Sequence, residues 1–321
     1  MCLQMMKIGI LTSGEDAPGM NTAISAVVKA ANYHNIDVMG VNYGYNGLIE
    51  GSIYPLTASD LENITDSGGT ILKTSRSTEL SETEKMKIQD TLERSGINAL
   101  VIIGDDKSFE AARKIQQQGI KVIGIPATVE NDIVYTDYSI GFDTTVNTIL
   151  ECIHKIKDTS FSHDKTTIVE VMGRHCGDLA LFSALAGGGE IISTPERKLD
   201  LDSICSTLAM RINDGKRNNM IIVTEELHDI QELQKGIEER LNISVRTSTL
   251  GFLQRGGNPS AFDRVLASRL GIAAIELLMD EQTGKAVGIK GNKIIDVDFD
   301  KLNIENGNKL ESYRLLETLL D

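Results

Sequence analysis

The stretch Lys121-Val-Ile-Gly-Ile-Pro-Ala-Thr-Val-Glu-Asn-Asp-Ile133 changes character at Pro126. Before the proline, a short apolar run with branched side chains has the make-up of a buried parallel strand. Pro126 ends that strand, so the loop after it lies at a strand's carboxyl end. In an open α/β sheet that edge is where ligands bind. The loop carries two carboxylates, Glu130 and Asp132, on either side of Asn131. Such a pair suits acid/base work on a hydroxyl, and it equally suits an Asx-type turn whose side chains bond only their own backbone. The loop alone leaves both readings open.

Upstream, the same strand–turn–helix pattern occurs twice more. Lys7 to Ser13 reads as a buried strand, Gly14-Glu-Asp-Ala-Pro-Gly19 as a tight turn, and Met20 to Tyr33 as a helix with Ala23, Ala26, Val27, Ala30 and Ala31 at helical spacing. Asp37 to Tyr43 is the next strand, which makes the opening βαβ. Ser81-Glu-Thr-Glu84 is a capping box for a helix ending near Gly96. Ala99 to Ile103 is a strand, Gly104-Asp-Asp-Lys107 a turn, and Ser108 to about Gln118 a helix. Three strand ends, at 14–19, 104–107 and 126–132, therefore converge on one crevice.

Downstream, the alternation resumes and predicts a second lobe. A helix follows Gly141-Phe-Asp-Thr144 to about Asp158, and Thr166 to Met172 is a strand. Gly173-Arg-His-Cys-Gly177 turns into a helix over 178–186, its glycines allowing Arg174 to approach a ligand. Helices are expected over 201–212 and 230–241 around a strand at 220–224. Ser244 to Gly257 is strand-like and then a glycine turn, Ser260 caps a helix to about Met279, and 286–297 form a hairpin. A last helix is expected from Lys309 to Leu320.

Composition narrows the function classes. The chain has 321 residues, 41% hydrophobic and 24% charged, as soluble domains do, and a net charge of −14. That charge excludes a general role on nucleic acid or an anionic membrane, both of which need a basic face. Four scattered cysteines indicate neither a zinc site nor a disulfide framework. The residues from Met1 to Met6 lack the basic start and apolar core of a signal peptide, so a cytoplasmic protein is expected.

The parts assemble into a phosphate chemistry. Glycine turns at helix starts suit phosphates, a neighbouring aspartate suits Mg²⁺, and Arg76, Arg174, Arg246 and Arg255 in turns suit a second phosphorylated ligand. Neither a dinucleotide G-x-G-x-x-G after a strand nor a P-loop is present.

Five stretches give this set of parts a specific resemblance. They are Leu11-Thr-Ser-Gly with Asp16-Ala-Pro-Gly-Met-Asn21, Asn131-Asp132, Asp137 to Asp143, Val169 to Ala180, and Gln254-Arg-Gly-Gly with Ala261-Phe-Asp-Arg264. Together they resemble the bacterial ATP-dependent 6-phosphofructokinase family over essentially the whole chain. The resemblance implies an α/β fold of two similar lobes, each a largely parallel sheet flanked by helices. Residues 1–141 plus 254–304 would form the nucleotide-binding lobe, and 142–253 plus 305–321 the sugar-phosphate lobe. It also implies Mg²⁺ with ATP as co-substrate, fructose 6-phosphate as acceptor, and a tetramer.

Residue by residue, the resemblance implies roles. Thr128, Glu130 and Asp132 stand at the reacting hydroxyl, with Glu130 as base, and Arg174 and Arg76 stabilise the transferring phosphate. Met172, Gly173, Arg174, Glu225 and Arg255 contact the sugar phosphate, while Arg246 and Lys165 reach in from a neighbouring subunit. Gly14, Glu15, Asp105, Asp106, Lys107 and Ser108 form the nucleotide turns, with Asp106 near the metal.

Several positions depart from the family pattern. Glu15, Asp105 and Lys107 replace glycines of the phosphate cradle, which should obstruct it. Glu130 replaces an aspartate and moves the carboxylate by about one ångström, a displacement that can cost on the order of a hundredfold in rate. Lys165 replaces an arginine and Phe252 a histidine. Ser25, Lys29, Ser52, Lys157 and Asn218 stand in the effector pocket where arginines or a histidine are usual, although Lys216 remains. Reduced activity and weak allosteric control are expected. The alternative is a catalytically inactive fructose 6-phosphate-binding paralogue, a sensor or a partner subunit in a heterotetramer with an active phosphofructokinase.

Overall fold

The computed structural model describes residues 6–76, 79–302, 313–315 and 318. The chain opens with β1 (Lys7–Thr12), α1 (Met20–Tyr33), β2 (Asp37–Val41), α2 (Gly44–Glu50) and β3 (Ile53–Pro55). It continues through α3 (Glu82–Ser95), β4 (Ala99–Gly104), α4 (Asp106–Gln116) and β5 (Lys121–Pro126). After α5 (Phe142–Ser162) come β6 (Thr166–Val171), α6 (Asp178–Gly187), β7 (Ile191–Ser193), α7 (Leu201–Asn213), β8 (Met220–Thr224), α8 (Ile230–Leu241) and β9 (Val245–Thr249). Then follow α9 (Ala261–Met279), β10 (Lys285–Lys290), β11 (Lys293–Asp298) and a 3-10 turn at Phe299–Lys301.

Two compact units result. Unit 1 comprises Met1–Val129, Ile133–Thr144 and Arg255–Asn306, and unit 2 comprises Glu130–Asp132, Thr145–Gln254 and Gly307–Asp321. The carboxylate loop thus groups with unit 2, whereas the sequence reading kept it within 1–141. Asn131 explains the assignment, since its Nδ2 donates to Asp178 Oδ2 at 3.0 Å in unit 2.

Unit 1 is built on a seven-stranded sheet in the order β11-β10-β5-β4-β1-β2-β3. Its five central strands run parallel, and β3 and β11 close the edges antiparallel. Strand neighbours of β1 lie on both sides, so the order reverses between β1 and β4, and a ligand crevice is expected outside their carboxyl ends. Alternation along the strands separates two apolar faces. Leu100 and Ile102 pack with Leu48, Ile88, Leu92 and Phe109 from α2, α3 and α4. On the other side α1 and α9 meet through small residues, with Gly271 against Ala26.

Unit 2 has a four-stranded parallel sheet, β7-β8-β6-β9. Ile168, Ile221 and Val223 pack with Ile204 and Leu208 of α7 and Leu233 and Ile237 of α8.

Local signals account for most boundaries. Ser81 caps α3 by accepting from Glu84 N while Glu84 returns the bond, and Gly96 ends the helix at φ 67°. Ser260 caps α9 by accepting from Asp263 N. Of the boundaries that differ from the sequence reading, two have a clear local cause. β2 stops at Val41 because Tyr43 adopts a left-handed conformation and starts α2. α4 begins at Asp106, before the expected Ser108, because Asp105 is its cap. The strand β7 and the helix α2, three and seven residues long, are too short for periodicity to reveal. The C-terminal helix expected over 309–320 lies largely outside the described residues. Among the described residues no helix is long and apolar enough to cross a membrane.

Candidate active site

In unit 1 the carboxyl ends of β1, β4 and β5 lie side by side. Thr12 pairs with Ile103, and Gly104 with Pro126. Ser13 N donates to Ile103 O at 2.9 Å, and Ala127 N donates to Gly104 O at 2.9 Å, so the three turns start level. Thr128 is held there by Ser139 Oγ, which donates to its carbonyl at 2.8 Å.

The first turn is glycine-dependent. Gly14 has φ 83°, a left-handed conformation, and a Cβ there would meet the Asp105 carboxylate at 2.4 Å. The segment 74–76 is stitched to it, with Gly14 N donating to Ser75 O at 3.0 Å and Thr74 Oγ1 donating to Gly14 O at 2.8 Å. That stitching places Arg76 beside Glu15, Nη2 to Oε1 at 3.4 Å. Arg255, at the end of the 3-10 turn Gly251–Arg255, puts its own Nη2 on Glu15 Oε2. The sequence reading kept Glu15 on the nucleotide side and Arg255 on the sugar side, and the structure joins them in one ion pair.

The second turn, read from sequence as 104–107, is closed by a helix cap. Asp105 Oδ1 accepts from Ser108 N at 2.8 Å and from Ser108 Oγ at 2.6 Å. Burial pushes the Asp105 carboxyl up, the Ser108 bonds pull it back, and the adjoining Asp106 charge adds to the rise. Ser108 is fully buried and its carbonyl accepts from Tyr45 Oη at 2.6 Å. Lys107 is exposed beside Asp106.

Asp106 is exposed in the first turn of α4, and its Oδ1 accepts from Lys107 N at 2.7 Å. Among the described residues no three His, Cys, Asp or Glu side chains gather to hold a metal. A single exposed carboxylate fits a Mg²⁺ ion that arrives with phosphate ligands, not one caged by the protein.

In unit 2 the ends of β6 and β8 carry the remaining predicted residues. Met172 N donates to Gln254 Oε1 at 3.0 Å, and Glu225 N donates to Val171 O at 2.8 Å. Gly173 has φ 120°, and a Cβ there would meet the Cys176 carbonyl at 2.4 Å. Gly177 is equally confined, by Thr194 and by Glu196, whose carboxylate accepts from Gly177 N. Both glycines are required by the protein's own packing as well. Arg174 is exposed and pairs with Glu226 at 2.5 Å. Glu226 had no assigned role; its position after Glu225 at a strand end was the signal.

The Glu130–Asp132 loop turns on Asn131, a left-handed residue at φ 54°, and its two acidic neighbours are half-buried. Besides the bond to Asp178, the Asn131 carbonyl faces Cys176 Sγ at 3.7 Å. The local-turn reading is thus incomplete, because the loop's amide is spent on α6.

Lys165 and Arg246 line a separate cavity of about 460 Å³ with Lys155, His163 and the hydroxyls of Thr159 and Thr167. Among the described residues no acidic side chain lines it. Phe252 is 83% exposed.

Residues 7–278 match the family model described as phosphofructokinase. The chain is 46% identical over 317 residues to an ATP-dependent 6-phosphofructokinase of Clostridium tetani, covering 98% of this chain and 99% of that one. It is 48% identical over 298 residues to the protein of that name from Clostridium acetobutylicum, covering 92% and 93%. Among solved structures, Pichia pastoris phosphofructokinase superposes with a TM-score of 0.87 at 30% identity over 93% of this chain, which spans 37% of the Pichia chain. A pyrophosphate-dependent phosphofructokinase from Marinobacter aquaeolei has a TM-score of 0.86 at 19% identity, covering 98% and 92%, a likeness of fold alone.

Proposed function

Because this chain belongs to the phosphofructokinase family, we propose that it transfers the terminal phosphoryl group of Mg-ATP to the 1-hydroxyl of fructose 6-phosphate, giving fructose 1,6-bisphosphate. The end-to-end match with relatives named ATP-dependent 6-phosphofructokinase carries this reading. The placement of Thr128, Asp106, Met172 and Glu225 just after strand carboxyl ends supports it. Unit 1 serves as the nucleotide lobe and unit 2 as the sugar-phosphate lobe, in the cytoplasm.

The reaction breaks the bond from phosphorus to the ADP oxygen and forms one to the sugar oxygen, while the hydroxyl proton passes to Glu130. Such transfers depend mostly on positioning and on neutralising charge on the transferring group. Arg76 and Arg174 supply that charge, Thr128 and Asp132 hold the hydroxyl and phosphate, and Met172, Gly173, Glu225 and Arg255 hold the sugar phosphate. Mg²⁺ at Asp106, when bound with nucleotide, supplies further neutralisation of the phosphate oxygens. Gly14 and Ser108 shape the nucleotide turns.

Lys165 and Arg246 act on a neighbouring subunit's substrate in a tetramer, of this chain alone or with an active phosphofructokinase. The exposure of Phe161 at 71% and Phe252 at 83% supports burial of unit 2 surface by a neighbour.

A second reading, a fructose 6-phosphate-binding paralogue without kinase turnover, is favoured by the protein carboxylates Glu15 and Asp105 in the cradle. The initial rate of fructose 1,6-bisphosphate formation with Mg²⁺, fructose 6-phosphate and ATP separates the two. Turnover supports the kinase; absence of turnover with retained fructose 6-phosphate binding supports the paralogue.

A further inference from the structure

We propose that Glu15 is a specificity-determining residue: a resident anion that holds Arg76 and Arg255 and must be displaced by any phosphorylated ligand those arginines bind. The proposal rests on the phosphofructokinase reading for the identity of the ligand, and on unit 1 geometry alone for the competition.

Each oxygen of the Glu15 carboxylate serves a different arginine, Oε1 facing Arg76 and Oε2 facing Arg255. The backbone enforces this. Gly14 turns the chain in a left-handed conformation, and the bonds to Ser75 and Thr74 hold the Arg76 segment against it. The two pairs are unequal. Arg76 is 84% exposed, so its pair is screened, whereas the Arg255 side chain is 16% exposed and Glu15 33%. A mostly covered guanidinium needs a compensating anion, and Glu15 provides it.

A phosphate group presents the same two-oxygen face to guanidinium groups that a carboxylate does. Binding at this pair is therefore an exchange. The ligand gains the arginines, Glu15 loses them, and the released carboxylate then stands close to a group of like charge. Only the difference appears as affinity. Doubly charged phosphates gain more from two arginines than singly charged ones, so Glu15 raises the charge a ligand must carry to be accepted.

The other anion attractor of this crevice is occupied in the same manner. The amino end of α4 draws negative charge, and Asp105 already takes its Ser108 N–H with a carboxylate packed against Gly14. These two features of unit 1 are thus satisfied by the chain itself.

The test uses the full-length protein and inorganic phosphate as probe. Thermal unfolding is followed against phosphate concentration, with potassium chloride at matched ionic strength as control, for wild type, Glu15→Gln, Glu15→Gly, and Glu15→Gln combined with Arg255→Met. The cationic cavity of unit 2 contributes equally to all four. We expect both single variants to show half-maximal stabilisation at a phosphate concentration at least tenfold below wild type, with the gain lost in the double variant. An unchanged phosphate response in Glu15→Gln and Glu15→Gly, or a gain that survives loss of Arg255, overturns the proposal. Bisphosphate formation is measured separately: a gain in phosphate response without turnover leaves the proposal standing and removes the kinase reading. Turnover with a response indifferent to residue 15 does the reverse.

Discussion

Unit 1 and unit 2 each gather positive side chains, but in different company. In unit 1, Arg76 and Arg255 share the carboxylate of Glu15. In unit 2, Lys155, Lys165 and Arg246 line a cavity with His163 and hydroxyl groups, and among the described residues no carboxylate lines its wall. As sequence, Arg76, Arg255 and Arg246 were alike candidates for a phosphorylated ligand. The difference teaches that an arginine's use depends on whether an anion of the same chain reaches it first, because the net gain of binding is what remains after the existing partner is lost. Among the described residues, unit 2 is where lysine and arginine side chains face a cavity with no carboxylate in its wall.

The largest expected effect concerns the cost to unit 1 of keeping carboxylates inside. Asp263 is fully buried at the start of α9 and accepts from Gly141 N at 3.0 Å and from Thr144 N at 2.8 Å and Thr144 Oγ1 at 2.5 Å. Burial pushes its carboxyl up to about 6, with the Thr144 and backbone bonds pulling the other way. A carboxyl raised in the folded state binds its proton more tightly there than in the unfolded chain. Its contribution to stability is therefore fully present below about pH 4 and lost as pH rises through about 6, a change of about 3 kcal/mol. Denaturant unfolding of wild type and Asp263→Asn between pH 4 and pH 7 should show the wild-type advantage shrinking as pH rises. A constant difference would break the account of internal carboxylates.

Ligand affinity gives the next test. Arg246→Ala should weaken fructose 6-phosphate binding by about ten- to a hundredfold in calorimetry, the worth of a charged hydrogen bond. Arg76→Ala should change it by less than about threefold, since the exposed arginine already shares Glu15. A reversed order would sink the comparison.

The glycines sharpen it further. Gly173→Ala in unit 2 would strike the Cys176 carbonyl, whereas Gly14→Ala in unit 1 would strike the tip of the Asp105 side chain. Both carry positive-φ strain, but backbone yields less than a side chain. We expect about 3 kcal/mol of destabilisation at Gly173 and nearer 1–2 kcal/mol at Gly14. Asp105→Gly should recover part of the Gly14→Ala loss, as read by urea midpoints, and should recover none of the Gly173→Ala loss.

Smallest of all, Ser81→Ala should cost about 1 kcal/mol by removing the α3 cap, without altering any ligand response.

The particular elements show what was readable beforehand. The capping box at Ser81, the Ser260 cap and the alternating buried strands are local signals, and the structure has them in place. Asp105 was legible as an acidic residue in a phosphate turn, but not as a helix cap. The two states differ only by which N–H it meets, and that depends on where α4 starts. The glycines around Arg174 read as room for a ligand, while the neighbours that confine them, Cys176 and Glu196, come from a tight turn and from another element. Glu226 was visible only as the second of two acids at a strand end.

Sequence by itself determined the α/β alternation, the family, and the residue types at each strand end, because these follow from short-range periodicity, capping chemistry and motif spacing. Only the tertiary structure decided the partners. Glu15 and Arg255 lie 240 positions apart, and no local rule relates them. Their pairing arises because the turn after β1 and the 3-10 turn before α9 are brought together by a sheet and two helices folding around one core, and charge interacts through space without regard to order along the chain.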